Sequence, residues 1–380
     1  MDRTERRLRV LLLFGGVSAE HDVSRVSAAS VARALDPARY EVIPVGITRQ
    51  GRWLLAEGAL AMLAGPGKAF EVDGPPVRMS APGPQETTVG AGLEAAGAAP
   101  ALAEAERWLD APIDVAFPLL HGPNGEDGTV QGLLELAGLP YVGSGVLGSA
   151  VGMDKVMMKR AFSACALPTP AHVALRHGTF TKADLDDVED RFGYPCFVKP
   201  ANLGSSVGVS RAHDRPTLEA AVELAATFDE WVLVEEAVTG REIEVAVLGD
   251  LPPEASLPGE IIPAAEFYTY DDKYLDDRAE LRAPADLGPE ATDEVRHLAI
   301  AAFEACRCEG MARVDFFYED PGRGFLVNEV NTIPGFTPIS MYPRLWEVSG
   351  LPYPQLLDRL VDLALARHAR RAPRSARARS

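Results

Sequence analysis

The stretch 311-MARVDFFYEDPGRGFLVNEVNTIPGF-336 limits what this chain can fold into more than any other part of it. Its pattern predicts two β-strands around a turn, Ala312–Tyr318 and Gly324–Val330, and then a loop opening at Pro334-Gly335. Strand side chains alternate between faces, so Arg313 and Asp315 share one face of the first strand. Glu329 and Asn331 project together from the end of the second. One arginine, two carboxylates and a carboxamide at the end of an apolar hairpin are costly to bury unless something pairs with them. An all-oxygen donor set suits a hard cation such as Mg²⁺, which takes few protein carboxylates and fills its shell with phosphate and water. The hairpin alone therefore points to a Mg²⁺-nucleotide site.

The 380 residues suffice for two or three domains, and the 47% hydrophobic content is that of an ordinary globular protein. A net charge of −18 argues against nucleic acid or an anionic membrane surface as a partner. Any lysine meant for a phosphate must act against that background. Cys165, Cys196, Cys306 and Cys308 show no metal-ligand spacing and predict reduced thiols in a cytoplasmic protein. The charged start, MDRTERRLRV, does not fit a signal peptide. Residues 136–153 read as loops because of Pro140 and repeated glycines. The arginine-rich end, 367–380, reads as a frayed, solvated tail.

In chain order, Leu8–Phe14 is a continuous apolar run, the mark of a parallel strand covered on both faces. It leads through 15-GGVSAEHDVS-24 into an amphipathic helix and the strand Tyr40–Ile47. That is a βαβ unit, with its ligand end at the carboxyl ends of the strands. No third glycine completes a dinucleotide fingerprint, which disfavours a Rossmann dehydrogenase. Residues 51–110 read as an irregular elaboration. Ile113–Leu120 predicts a second strand ending in 121-HGPNGEDG-128, then a helix capped by Asp127. A boundary falls in the run 143-GSGVLGS-149, followed by a helix through 154-DKVMMKRAF-162 and a strand at 195-PCFVKPA-201. A loop, 202-NLGSSVGVS-210, precedes a helix from Pro216 and the strand 231-WVLVEE-236. The third segment holds 242-EIEVAVLG-249, a charged aromatic loop at 266–277, a helix at Thr292–Cys306, the hairpin, and a last helix over about 354–366.

Lys155 and Lys199 taken singly are ordinary surface lysines; beside 204-GSSVG-208 they read differently. Small residues let backbone N–H groups approach phosphate oxygens. GxxxxGK[ST] is absent, so this is no P-loop NTPase. Glu235 ends one apolar strand and Glu242 starts the next, where a nucleotide between two domains would meet backbone and a carboxylate.

Six motifs in order, GGVSAEHDVS, LLHGPNGEDGTVQG, GSGVLGSAVGMDK, FVKPANLGSSVGV, FYTYDDKY and RVDFFY…NEVNTIPGFT, resemble the D-alanine–D-alanine ligase family of the ATP-grasp fold. The resemblance spans about Val10 to Leu365. It implies an α/β, three-domain ATP-grasp architecture, α+β in its ATP-grasp part. Residues 1–145 would form the N-terminal doubly wound domain, 146–238 the central subdomain and 239–366 the C-terminal subdomain with the metal site.

The implied activity is ATP-dependent joining of two D-alanines through a D-alanyl phosphate, for peptidoglycan precursors. The implied cofactors are ATP and two Mg²⁺, with Mn²⁺ as a substitute. Asp315, Glu329 and Asn331 would be the metal ligands; Lys155 and Lys199 would hold phosphates, with Ser205, Ser206 and Val207 closing over them. Glu235 and Val238 would lie at the adenine and Glu242 at the ribose, while Glu20 and His121 would hold the first D-alanine. Arg313 and Gly335 would stabilise the oxyanion, and Ser340 with Met341 the second substrate's carboxylate. Lys273 and Tyr274 would shut over the γ-phosphate, and Ser206 or Tyr274 would be the general base. Leu203 stands where some relatives carry an acid that holds the two lids together. The partners are small molecules, with neither nucleic acid nor membrane, and the protomer would form a homodimer.

The alternatives are a ligase taking D-lactate or D-serine second, or another ATP-grasp carboxylate–amine ligase. A phenylalanine at the lid tyrosine marks the D-lactate group, and this chain has Tyr274. A non-catalytic binding protein would not need Arg313, Asp315, Glu329 and Asn331 together.

Overall fold

A computed structural model describes residues 6–55, 112–249, 251–262 and 280–377. In β1 (Leu8–Gly15) alternate residues feed two different cores: Val10, Leu12 and Phe14 one, Leu11 and Leu13 the other. That is the strand covered on both faces that its continuous apolar run predicts. α1 (His21–Ala34) crosses to β2 (Tyr40–Ile47), which lies parallel to β1 and carries the short antiparallel β3 (Trp53–Leu55) on its edge. β4 (Val115–Pro118) pairs in parallel on the other side of β1 and leads to α2 (Thr129–Leu136). Asp127 does serve the start of α2, but from one position earlier: its carboxylate accepts from Thr129 N, and Gly128 is the N-cap. The bulk of the 51–110 elaboration lies outside the described residues.

The glycine run expected as loop contains a helix, α3 (Val146–Met153). Its glycines are packing contacts and not breaks. A Cβ on Gly148 would sit 2.6 Å from Arg307 O, and one on Gly152 2.7 Å from the Thr332 side chain. α4 (Lys155–Ala164) follows, with the Asp154 side chain accepting from Met157 N.

The central sheet is antiparallel, ordered β5 (His172–Arg176), β8 (Trp231–Glu236), β6 (Cys196–Pro200), β7 (Ser210–Ala212). α5 (Lys182–Phe192) and α6 (Arg215–Ala226) cover it around Val198, Val222 and Val234.

The largest sheet is antiparallel as well. It runs β12 (Glu280–Arg282), β11 (Gly259–Ile262), β9 (Arg241–Gly249), β13 (Gly310–Glu319), β14 (Gly324–Asn331), with β10 (Glu254–Ala255) against β9. α7 (Pro289–Ala305) packs on the face made by Ile243, Val245, Ala312 and Val314. It starts at Pro289 behind Gly288, not at Thr292, because proline is pre-shaped for the first helical position. The opposite face keeps its polar residues for the site.

α8 (Met341–Val348) and α9 (Tyr353–Arg377) complete the fold. Leu356, Leu360 and Val361 of α9 join Val10, Leu12 and Phe14 in one core. The frayed tail expected from residue 367 is corrected, since α9 continues to Arg377. Arg367 is buried, donating to Tyr141 O at 2.7 Å and to Gly143 O, with its guanidinium over the Tyr141 ring. Arg371 pairs with Glu309 at 2.8 Å. An arginine count alone does not reveal carbonyls waiting more than two hundred residues earlier in the chain. Among the described residues no helix is long and apolar enough to cross a membrane.

Candidate active site

Register builds the site. On β13 and β14, Asp315 stands opposite Glu329 and Arg313 opposite Asn331, while β9 places Glu244 opposite Asp315. Directly opposed residues share a face, so three carboxylates form a row across three strands. The Arg313 Nε and Nη2 each donate to an Asp315 oxygen at 2.7 Å, and Nε lies 3.2 Å from Glu244 Oε1. Asn331 Nδ2 donates to Asp315 Oδ2 at 3.0 Å. Burial works against the charge on Arg313, but Asp315 and Glu244 overcome it and hold its pKa well above the ordinary arginine value. Glu244 was missed in the sequence; it sits two residues after Glu242, hence on the same face of one strand.

Asp315, Glu329 and the amide oxygen of Asn331 fit a hard divalent cation by donor chemistry. Among the described residues no group of three or more His, Cys, Asp or Glu side chains could hold a metal alone. An ion here must therefore complete its shell with phosphate and water oxygens.

Lys155, first in α4, donates to Leu203 O at 2.7 Å and lies 3.9 Å from Glu329 Oε2. It joins the carboxylate row to the glycine-serine loop. Lys199 Nζ lies 2.6 Å from Glu235 Oε2, and Lys159 Nζ lies 2.7 Å from Glu235 Oε1. Burial pushes the Glu235 carboxyl up, but the two lysines outweigh it and hold it far below its usual range. The side chain of Glu235 thus faces inward between the two lysines, and its backbone is paired within the sheet with His172 and Phe197. Lys159 was missed; its spacing of four from Lys155 puts both on one helix face. Val238 follows β8 and Glu242 is the second residue of β9, flanking the connection between the two strands.

In the loop, Ser205 and Ser206 hold left-handed conformations, φ 52° and 57°. Such a backbone costs about 1–2 kcal/mol per residue unless its surroundings fix it. Part of the fixing is visible: Ser205 Oγ donates to Glu20 Oε1 at 2.5 Å. Glu20 is bracketed by glycines, because a Cβ on Gly204 would sit 3.0 Å, and one on Gly122 3.2 Å, from its Oε2. His121 Nδ1 bonds to Ile333 O at 2.9 Å, so Nδ1 carries the proton. Burial lowers the His121 pKa and keeps the ring neutral. Its Nε2 is a buried acceptor with no hydrogen-bond partner among the described residues. A carboxylate and an orphaned acceptor side by side suit an ammonium group.

Glu126, also missed, accepts from Gly122 N at 2.8 Å. Burial first, then the charge of Glu20, raise its pKa from 4.5 to about 8. The folded chain therefore binds a proton that the unfolded chain releases, and stability falls as pH rises through that window. The thermal midpoint should drop between about pH 5 and about pH 8 and level off above that, with a shallower drop in Glu126→Gln. Parallel slopes in thermal scans would contradict this.

Gly335 and Ser340 meet at the entrance to α8, where a Cβ on Gly335 would sit 3.1 Å from Ser340 Oγ. Ser340 is the N-cap of α8, and its Oγ accepts from Thr337 N at 3.1 Å. The free N–H groups of that first turn suit a carboxylate. The Met341 side chain is buried against Gly259, so only its backbone N–H faces the site. Phe336 anchors the loop edge-on against Phe117 of β4, with ring centroids 5.9 Å apart. Lys273 and Tyr274 lie outside the described residues.

Two family models match the chain: D-ala D-ala ligase N-terminus over residues 9–144 and D-ala D-ala ligase C-terminus over 161–362. The chain belongs to the D-alanine–D-alanine ligase family. Among its relatives, the D-alanine–D-alanine ligase of Mycolicibacterium vanbaalenii is 49% identical over 370 residues, covering 95% of this chain and 98% of the relative. That of Acetivibrio thermocellus is 45% identical, covering 95% and 96%. Among solved structures, the D-alanine–D-alanine ligase of Coxiella burnetii superposes with a TM-score of 0.81 at 36% identity, covering 98% and 99%. The D-Ala:D-Ser ligase VanG of Enterococcus faecalis gives 0.77 at 33% identity, covering 94% and 100%. This chain is thus a ligase of the ATP-grasp fold.

Proposed function

We propose that this ligase joins two D-alanines at the expense of ATP, releasing ADP and phosphate, for peptidoglycan precursor synthesis. One observation carries the reading from geometry. A continuous chain of contacts runs from Glu20 to Ser205, through the loop to Leu203, Lys155 and Glu329, and across the ladder to Asp315 and Arg313. An ammonium site, a phosphate loop and a carboxylate row thereby become parts of one cleft.

A carboxylate and an amine do not condense unaided in water, so the carboxylate must first be activated. Glu20 and His121 orient the first D-alanine by its ammonium, leaving its carboxylate toward Lys155 and the loop. That carboxylate attacks the γ-phosphorus of ATP, ADP leaves, and a D-alanyl phosphate results. Catalysis here is positioning and charge neutralisation. Lys155 and Lys199 supply positive charge; divalent ions held by Asp315, Glu329 and Asn331 supply the rest when bound. The first turn of α8, capped by Ser340, receives the second carboxylate. The second substrate's ammonium gives up one proton, with Ser206 or Tyr274 as the base; its amine attacks the acyl carbon, and phosphate departs with the electrons of the acyl C–O bond and takes the amine's next proton. Arg313 and the Gly335 N–H are the donors for the oxyanion of that step. Closure of the loop at 204–208 excludes the water that would hydrolyse the acyl phosphate. The proposal extends, on the strength of the family, to a pair of Mg²⁺ ions and to a homodimer acting in the cytoplasm.

The test is phosphate release with ATP, Mg²⁺ and D-alanine, against D-lactate or D-serine as second substrate. D-alanine alone should support turnover. Absence of D-alanine-dependent release would sink the assignment, and faster release with D-serine or D-lactate present would move it to the depsipeptide or mixed-dipeptide activity.

A further inference from the structure

Lys159 has no task in the mechanism above, and its surroundings give it one. Its side chain is 1% exposed, one helical turn beyond Lys155, and its ammonium donates to Val327 O of β14 at 3.4 Å. It shares Glu235 with Lys199, each lysine meeting a different carboxylate oxygen, at 2.7 and 2.6 Å. Glu235 itself is 3% exposed. A buried carboxylate stripped of its partner is strongly destabilised, whereas one that keeps a partner is not. If Glu235 had Lys199 alone, drawing Lys199 onto a phosphate would strand a buried negative charge. Nucleotide binding would have to overcome that penalty.

We propose that Lys159 is a positioning residue: it keeps Glu235 neutralised from the side away from the cleft, so that Lys199 can exchange carboxylate for phosphate. The idea rests on reading Lys199 as a phosphate ligand. It gives the three groups distinct parts. Lys159 is the fixed charge, anchored to the backbone of the hairpin that carries Glu329. Glu235 is the tether, and Lys199 is the arm that moves.

The test is calorimetric binding of β,γ-imido-ATP with Mg²⁺ to the wild-type chain, to Lys159→Met, and to Lys159→Met/Glu235→Gln. Lys159→Met should bind about tenfold or more weakly, with the KM for ATP rising in parallel and that for D-alanine unmoved. The double variant releases Lys199 from its tether and should regain most of the affinity. Wild-type affinity in Lys159→Met, or a loss that persists in the double variant, overturns the inference while the ATP reading stands. Should Lys159→Met not fold, the double variant decides alone: affinity within about threefold of wild type supports the proposal, and a tenfold loss overturns it. A wild-type chain that does not bind the analogue overturns the ATP reading and this inference with it.

Discussion

Glu329→Gln should cut D-alanine-dependent phosphate release by about a thousandfold or more, since even partners behind a metal's ligands contribute about 10–100-fold. The substitution keeps the shape and removes one negative charge from the row formed with Asp315 and Glu244. The Glu329 side chain is 25% exposed and Lys155 stands 3.9 Å away, so the folded chain loses little. Thermal unfolding should therefore be nearly unchanged. Full turnover in this variant would remove the metal role.

Arg313→Met is expected to damage both activity and stability. Losing one pre-aimed oxyanion donor costs about 10²–10³-fold in turnover. The same change leaves Asp315 and Glu244 without their guanidinium, and breaking such a buried pair costs about 3–5 kcal/mol. A second substitution separates the two effects. Adding Glu244→Gln removes one stranded carboxylate and should restore part of the thermal midpoint, with turnover still low. If activity returned together with stability, Arg313 would be a structural residue and not an oxyanion donor.

The hairpin was legible because strand alternation is a local rule: it put Arg313 with Asp315, and Glu329 with Asn331, before any partner strand was known. Motif order singled out Glu20, Lys155, Lys199 and Ser340, and the contacts through the 203–205 loop join the first two to Glu329. What escaped depends on distant neighbours. The glycines of α3 read as breaks, although they mark where that helix presses against Arg307 and Thr332. Lys159 and Glu244 carry no local mark beyond spacing, since what matters is the charge each meets: Glu235 in one case, Arg313 in the other. Glu126 looks like a solvated acid until the fold brings Glu20 beside it. The Ser205–Glu20 contact joins residues 185 positions apart, a pairing that no local pattern encodes.

The shared core of β1 and α9 has a consequence for how the chain is made. Phe14, Ala28 and Val31 find Leu357, Leu360 and Ala364 as neighbours, and Tyr40 donates to Asp358 at 2.6 Å. During synthesis from the N-terminus, the parallel sheet and α1 emerge early, and the core around Val10, Leu12 and Phe14 is then covered by α1 but still lacks the apolar residues of α8 and α9. That core stays incomplete while both antiparallel sheets are being translated, until the helix starting at Tyr353 arrives. The nascent chain thus carries a partly exposed apolar surface for most of its time on the ribosome, the interval in which a chaperone has most to protect.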